Sequence, residues 1–456
     1  MFARMADDDE SEGKGYATPT TRGQRFAKLA GMTASVAGNY AKNRLSAAFK
    51  SAEQGAIDRA AHYAASGERI AQTLGELKGA AMKIGQMASV AQDILPKELA
   101  QALTKLQKEA PPMPYSVIAD QIERELGSQP EHLFSRFEKE PFASASIGQV
   151  HRARTDDGRE VIVKVQYPGV DTSVDSDLSH LKLALRASGL LKLSKSNLDV
   201  LFGEIRARLH EELDYTNEAD NVRLFRKFHG HHSFVAIPEV VGERSAQRVL
   251  TLTYLPGDNI NDLDEKRYDQ TARDRIGQHL FQLFLEQMFR LQAIHADPNP
   301  ANFAFRPDGS LILYDFGCVK RLKPDIVQAY ASTLLSGINE KYEGVEQGLI
   351  ALGARNTSGP PIEAEYYKGW RDVLLMPFVR PEPFDYGTST VHEDVMKRVP
   401  TLLKRIASFQ PPVEVVFIDR VIGGHYGNLR KIRARGRFME LVMPYLEAGA
   451  RGEAPA

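Results

Sequence analysis

"HADPNPANF", residues 295–303, sets Asp297 five positions before Asn302, and "YDFG" follows at 314–317 behind the apolar run "LIL". Oxygen ligands on loops beside one strand are the kind that hold a magnesium ion. Asp and Asn are also common in ordinary turns, so this spacing needs company before it means anything. The company must come from elsewhere in the chain: a cation for phosphates, a carboxylate to orient it, and a fold that brings them to these loops.

The chain has 456 residues, long enough for two or three core-bearing units, and its 43% hydrophobic content is that of an ordinary globular protein. Net charge is -1, so no global field favours nucleic acid as a partner. The single cysteine, Cys318, excludes an internal disulfide framework and suits a reducing compartment. The first residues, "MFARMADDDESEGKG", carry acids where a signal peptide has its apolar core. No run reaches the roughly 20 apolar residues of a transmembrane helix, so the expected location is cytoplasmic. Charge is uneven, however. After the acids at 7–12 none appears until Glu53, while Lys14, Arg22, Arg25, Lys28, Lys42, Arg44 and Lys50 lie between. This basic stretch, residues 14–50, reads either as a peripheral anchor on the anionic inner face of a membrane or as the solvated face of a helix. A second basic run, Arg430 to Arg437, carries the same two readings.

Residues 1–20 are polar and Gly- and Thr-rich, the composition of a disordered tail. A helical extension is expected over 21–135, its last long helix "YSVIADQIEREL" stopped by Gly127. The texture then changes: "ASIGQVHRARTDDGREVIVKVQY" alternates apolar and polar residues around a "DDG" turn and predicts a hairpin. Helices follow at roughly 174–195 and 198–229, then the strand "RVLTLTYLPG", then a helix over about 267–294 leading into the opening motif. The order predicts an α+β, bilobal, protein-kinase-like fold. Its small sheet-bearing N-lobe would occupy 136–257 and its helical C-lobe 258–456.

Lys164, inside "VIVKVQY", is by itself only the outward member of a strand alternation. Kinase-type sites place a lysine on such a strand to hold the α and β phosphates, with a glutamate from the next helix to orient it. Glu218 is available, and such a pair at 4 Å is worth roughly 4 kcal/mol at an effective dielectric near 20 before desolvation. In the same scheme Asp297 faces the acceptor as the catalytic-loop aspartate, while Asn302 and Asp315 ligate Mg2+. The phosphate loop departs from G-x-G-x-x-G: Ala143, Ser144, Ala145 and Ser146 stand there, and a Cβ disfavours left-handed backbone by roughly 1–2 kcal/mol. Glu212 and Glu218, six residues apart on one helix, would project about 120° apart. Glu212 would thus remain for another cation, such as Lys83 in "AAMKIGQMAS".

Together, K-x-G-Q at Lys83 to Gln86, the Ala/Ser loop, Lys164, E-x-D at Glu212 to Asp214, Glu218, "DPNPAN" and "DFG" resemble the motif set of the UbiB family of atypical kinase-like proteins over roughly residues 70–420. The resemblance implies that the extension, carrying K-x-G-Q, covers the active site, with Lys83 meeting Glu212. It further implies ATP and Mg2+ as ligands, ATPase activity rather than ordinary protein phosphorylation, and support of ubiquinone or other isoprenoid-lipid metabolism at a membrane. Two other functions remain open: a phosphotransferase acting on a small molecule or protein, and a nucleotide-binding scaffold without chemistry.

Overall fold

The structure, a computed structural model, describes residues 112–144, 147–188 and 195–454, with a few positions between 27 and 35. Most of the basic segment 14–50 and of the helical extension, including Lys83 and Gln86, lies outside the described residues, as do Ala145 and Ser146. Two compact units divide the chain. One comprises residues up to Tyr215 together with Gly242–Thr251, and the other Thr216–Val241 with Leu252 onward.

The first unit is built on an antiparallel sheet. Its strands are β1 (Arg136–Phe137), β2 (Ala143–Ser144), β3 (Gly148–Arg154), β4 (Glu160–Gln166) and β6 (Val249–Thr253), ordered β1-β3-β4-β6 with β2 on β3. The expected hairpin is β3–β4, in register from Gly148 opposite Gln166 to Arg154 opposite Glu160. Val161, Val163 and Val165 are buried and alternate with half-buried Ile162 and Lys164, the period-2 pattern of a strand with one packed face. At Gly148 the backbones close so tightly that a Cβ would meet the Val165 carbonyl oxygen at 2.2 Å. Helix α1 (Tyr115–Leu126) ends as anticipated, with Gly127 at φ 77 donating its N–H to the Glu123 carbonyl.

Helices α2 (Val170–Ser188) and α3 (Lys195–Glu212) follow, tied by Lys182 to Asp199 and Arg206 to Asp175. The single helix read from 198 to 229 is two helices. α3 stops at Glu212, and α4 (Tyr215–His229) starts afresh after Asp214. The break has a cause in the sheet: the Gln166 side-chain amide donates to the Leu213 carbonyl, and the Gln247 carbonyl accepts the Tyr215 N–H. Backbone groups that would continue the helix are satisfied outside it. Glu212 and Glu218 therefore sit on different helices, and the 120° relation expected of one continuous helix does not hold.

In the second unit, α5 (Gln270–Glu286) is buried along much of its length, and Asp269 caps its first turn through the Ala272 N–H. The helix read to 294 ends sooner. It passes into one π turn at Gln287–Leu291, Gln292 adopts φ 52, and β7 (Ala293–His295) begins. Strands β8 (Phe303–Phe305) and β9 (Leu311–Leu313) form a sheet with the short β5 (Val235–Ala236), while β10 (Val319–Arg321) pairs antiparallel with β7. Beyond it lie α6 (Pro324–Ile338), α7 (Tyr342–Ala351), α8 (Ala364–Leu374), α9 (Val391–Leu403), α10 (Val413–Ile432) and α11 (Phe438–Ala450). Ile276 and Leu280 of α5, Ile418 and Val421 of α10 and Phe438 of α11 are fully buried members of this unit's core. No described helix is long and apolar enough to cross a membrane.

Gly148→Ala is expected to lower the urea midpoint by an amount equivalent to about 1–3 kcal/mol, the cost of forcing volume into packed structure. Equilibrium unfolding followed by far-UV circular dichroism reads it, and an unchanged midpoint would show that the strands separate freely there.

Candidate functional site

The stretch 295–303 is a loop between β7 and β8, held by its own polar groups. The Asn299 side chain accepts from the Ala301 N–H at 3.1 Å, closing a 3-10 turn at Pro300–Asn302. Asn302 is buried; its Nδ2 donates to the Asp297 carbonyl at 3.1 Å, and its own carbonyl accepts the Tyr314 N–H at 2.8 Å. With the amide nitrogen engaged by the loop, Oδ1 is the atom of Asn302 suited to a hard cation. Asp297 is half-buried at the head of the same loop.

Asp315 lies in the left-handed region at φ 52. An aspartate tolerates this better than most residues, but such backbone costs about 1–3 kcal/mol and persists only where its surroundings enforce it. The enforcement is visible. His295 Nε2 donates to the carbonyls of Asp315 at 2.7 Å and Tyr314 at 3.1 Å, and the Asp315 Oδ1 accepts the Gly317 N–H at 3.1 Å. Two carbonyl acceptors place the imidazole proton on Nε2. His295 is aligned in turn: the buried Gln287, in the π turn, accepts its backbone N–H at 2.9 Å. Phe316 is fully buried edge-on against His295 and Phe225, and its carbonyl accepts from Asn221 Nδ2 at 3.1 Å.

Phe225 and Asn221 belong to α4, which also carries Glu218 in its first turn, the favourable end of the helix dipole for a carboxylate. Glu218 is buried, and its Oε2 and the Asp315 Oδ1 both come close to Gly317. A Cβ built on Gly317 would lie 3.5 Å from the first and 3.2 Å from the second. The glycine of D-F-G thus leaves room for two convergent carboxylates. The second unit gathers Glu218, Asp297, Asn302 and Asp315 around one loop cluster made of hard oxygen donors.

The remaining predicted residues described belong to the first unit. Lys164 projects from β4 with Nζ 5.0 Å from the centroid of the Tyr215 ring, a cation–π approach. Ala143 and Ser144 form β2, pairing with Val150 and Gln149. Glu212 closes α3, and Asp214, half-buried, lies in the break that follows.

Motif reading missed the far side of the loop. Helix α10 packs under it: Gly424 is so close that a Cβ would meet Pro298 Cγ at 2.1 Å, and Asn428 Nδ2 donates to the Pro298 carbonyl at 2.9 Å. His425, between Phe284 and Phe303, is pushed down to about 3 by burial and by His295 nearby, so it is a neutral packing group. The one available signal was Gly423-Gly424 inside a helix, where each glycine costs about 1 kcal/mol relative to alanine unless close packing requires it.

A strand lysine, a loop with Asp and Asn five apart, and an aspartate-led D-F-G turn on a two-unit α+β scaffold define a kinase-like protein. The ABC1 atypical kinase-like domain matches residues 105–349, and the chain belongs to that family, as its resemblance to the UbiB proteins implied. It is 28% identical to the probable serine/threonine-protein kinase abkA of Dictyostelium discoideum, over 92% of this chain and 78% of that protein. It is 32% identical to the mitochondrial atypical kinase COQ8 of Saccharomyces cerevisiae, over 78% of this chain and 71% of that one. Against the chloroplastic protein ACTIVITY OF BC1 COMPLEX KINASE 8 of Arabidopsis thaliana the identity is 35% over 61% of the chain, which spans only 37% of that relative. Among solved structures, the Rv3197–erythromycin complex from Mycobacterium tuberculosis is similar with a TM-score of 0.61 and 32% identity, covering 83% of this chain and 94% of that one.

The two neighbouring glycines of α10 offer a paired test. Gly424→Ala must displace Pro298 and should lower the thermal midpoint. Gly423→Ala, whose Cβ meets nothing within 4 Å, should raise it by the equivalent of up to about 1 kcal/mol of stability through helix propensity. Calorimetry reads both, and equal shifts would remove Gly424 from its role as a spacer.

Proposed function

We propose that this atypical kinase-like protein is a magnesium-dependent ATPase whose nucleotide cycle serves ubiquinone or other isoprenoid-lipid metabolism. The observation that carries the reading is the strained, His295-anchored Asp315 converging with Glu218 on Gly317 beside Asn302. A backbone conformation of that cost is kept where it aims a side chain. The donors suit Mg2+: Asn302 and Asp315 offer an amide and a carboxylate oxygen, with no thiolate or imidazole among the assigned ligands. Bound there, Mg2+ would neutralise charge on the β and γ phosphates.

The chain's own residues have the following assigned roles. Lys164 supplies the ammonium for the α and β phosphates, and Glu218 is the orienting carboxylate. Asp297 is the catalytic-loop aspartate that positions the attacking oxygen, and Asn302 fixes that loop through the Asp297 carbonyl. Ala143 to Ser146 are assigned to the phosphate-covering loop. Lys83, Gln86, Glu212 and Asp214 are assigned to gating of the site by the N-terminal extension. In lobes, the proposal places the tail at 1–20, the extension at 21–135, the N-lobe at 136–257 and the C-lobe at 258–456. Residues 14–50 are the proposed contact with an anionic membrane surface.

One feature favours hydrolysis or a small acceptor over ordinary protein phosphorylation. Only Leu322 and Lys323 separate β10 from α6, leaving no extended activation segment on which a peptide would lie. The mitochondrial and chloroplastic labels of the relatives are theirs; for this chain the lipid role is inferred from that kinship.

Magnesium-dependent ATP turnover should rise on liposomes carrying a quinone-precursor analogue and fall about 10²-fold or more in Asp315→Asn, the scale of losing one preorganised charge contact. Malachite-green phosphate release measures it, with mass spectrometry for any phosphorylated product. Wild-type turnover in the variant rules out the metal role, and stoichiometric transfer to an acceptor establishes a phosphotransferase instead.

A further inference from the structure

At the opposite end of α4 from Glu218, three further ligand-type side chains meet. His229 closes α4, His232 follows in the turn, and Glu286 closes α5. One ligand atom from each lies within 4.8 Å of the others. His229 and Glu286 are fully buried and His232 is 14% exposed, so the cluster opens to solvent on one side only. Its internal bonding is incomplete. His232 Nε2 lies 2.6 Å from Glu286 Oε2, and Gln282 Nε2 holds the other carboxylate oxygen at 3.0 Å. His229 Nδ1, 3.5 Å from Oε2, makes no hydrogen bond, and both of its ring nitrogens are buried without a hydrogen-bond partner. Stranding a buried polar group in this way is destabilising unless a ligand satisfies it.

We infer that His229, His232 and Glu286 form a binding site for a divalent transition metal, with Zn2+ the best match, distinct from the oxygen-rich nucleotide site. Two imidazoles and one carboxylate are an established zinc donor set, and a tetrahedral ion with ligands about 2.0–2.2 Å away separates them by about 3.4 Å, between the distances seen here. Gln282 supplies the outer support that orients a ligating carboxylate. The rings of Phe225, Phe228 and Phe234 pack against the histidines. His232, the ligand that meets solvent, would leave a bound ion accessible to water as a further ligand. A bound ion would clamp the C-terminal end of α4 to the residue immediately before Gln287, the group that aligns His295.

The test uses the full-length, tag-free chain in excess Mg2+ without nucleotide, so that oxygen-rich sites are filled. Titration with Co2+ should give one equivalent with the intense visible bands of tetrahedral cobalt, displaced by Zn2+, and Zn2+ should raise the thermal midpoint. His232→Ala should weaken binding at least tenfold and abolish the thermal shift, whereas His231→Ala, whose imidazole bonds the Phe228 carbonyl, should leave both intact. X-ray absorption on the zinc-loaded wild type should show two imidazoles and oxygen in the first shell, a readout that does not depend on either variant folding. A shell with fewer imidazoles or with sulfur, octahedral cobalt bands, or unchanged affinity in folded His232→Ala overturns the inference.

Discussion

The hydrogen bond from His295 to the Asp315 carbonyl is the constraint around which the second unit is arranged. It holds a non-glycine residue at φ 52 and thereby aims the carboxylate. His295 can do this because its own backbone is fixed twice, by the β7–β10 register that pairs it with Val319 and by the Gln287 side chain. Gln287 reaches it only because α5 widens into a π turn, a distortion that repays itself in the placement of one amide. Phe316 then packs against Phe225, and Asn221 secures its carbonyl, tying the D-F-G turn to α4.

In the first unit the comparable device is Gln166, the last residue of β4. By taking the Leu213 carbonyl it ends α3 and lets α4 begin with its own dipole. A continuous helix would have kept Glu218 mid-helix; the interruption puts it in a first turn, where exposed N–H groups favour a carboxylate.

Much of this was legible in the amino-acid order. The β3–β4 hairpin follows from alternation around "DDG", the end of α1 from Gly127, and the loop cluster from the fixed distances between Asp297, Asn302 and Asp315. Local chemistry writes such features into a few adjacent residues. The break at Asp214 was not legible, because helical periodicity runs through it and the groups that cause it, Gln166 and Gln247, are remote in sequence. The same holds for the π turn, whose reason lies in His295, and for α10, whose Gly424 and Asn428 serve a loop some 130 residues earlier. The His229–His232–Glu286 cluster also joins ends of separate helices, so spacing alone gives no hint of Glu286.

The packing of Pro298 against Gly424 has a consequence for how the molecule matures. The ABC1 match ends at residue 349, well short of α10, yet the loop between β7 and β8 leans on that helix. During synthesis at about 5–20 residues per second, the loop emerges many seconds before its support exists. Until α10 has been made, the loop between β7 and β8 lacks the Gly424 and Asn428 contacts that brace it.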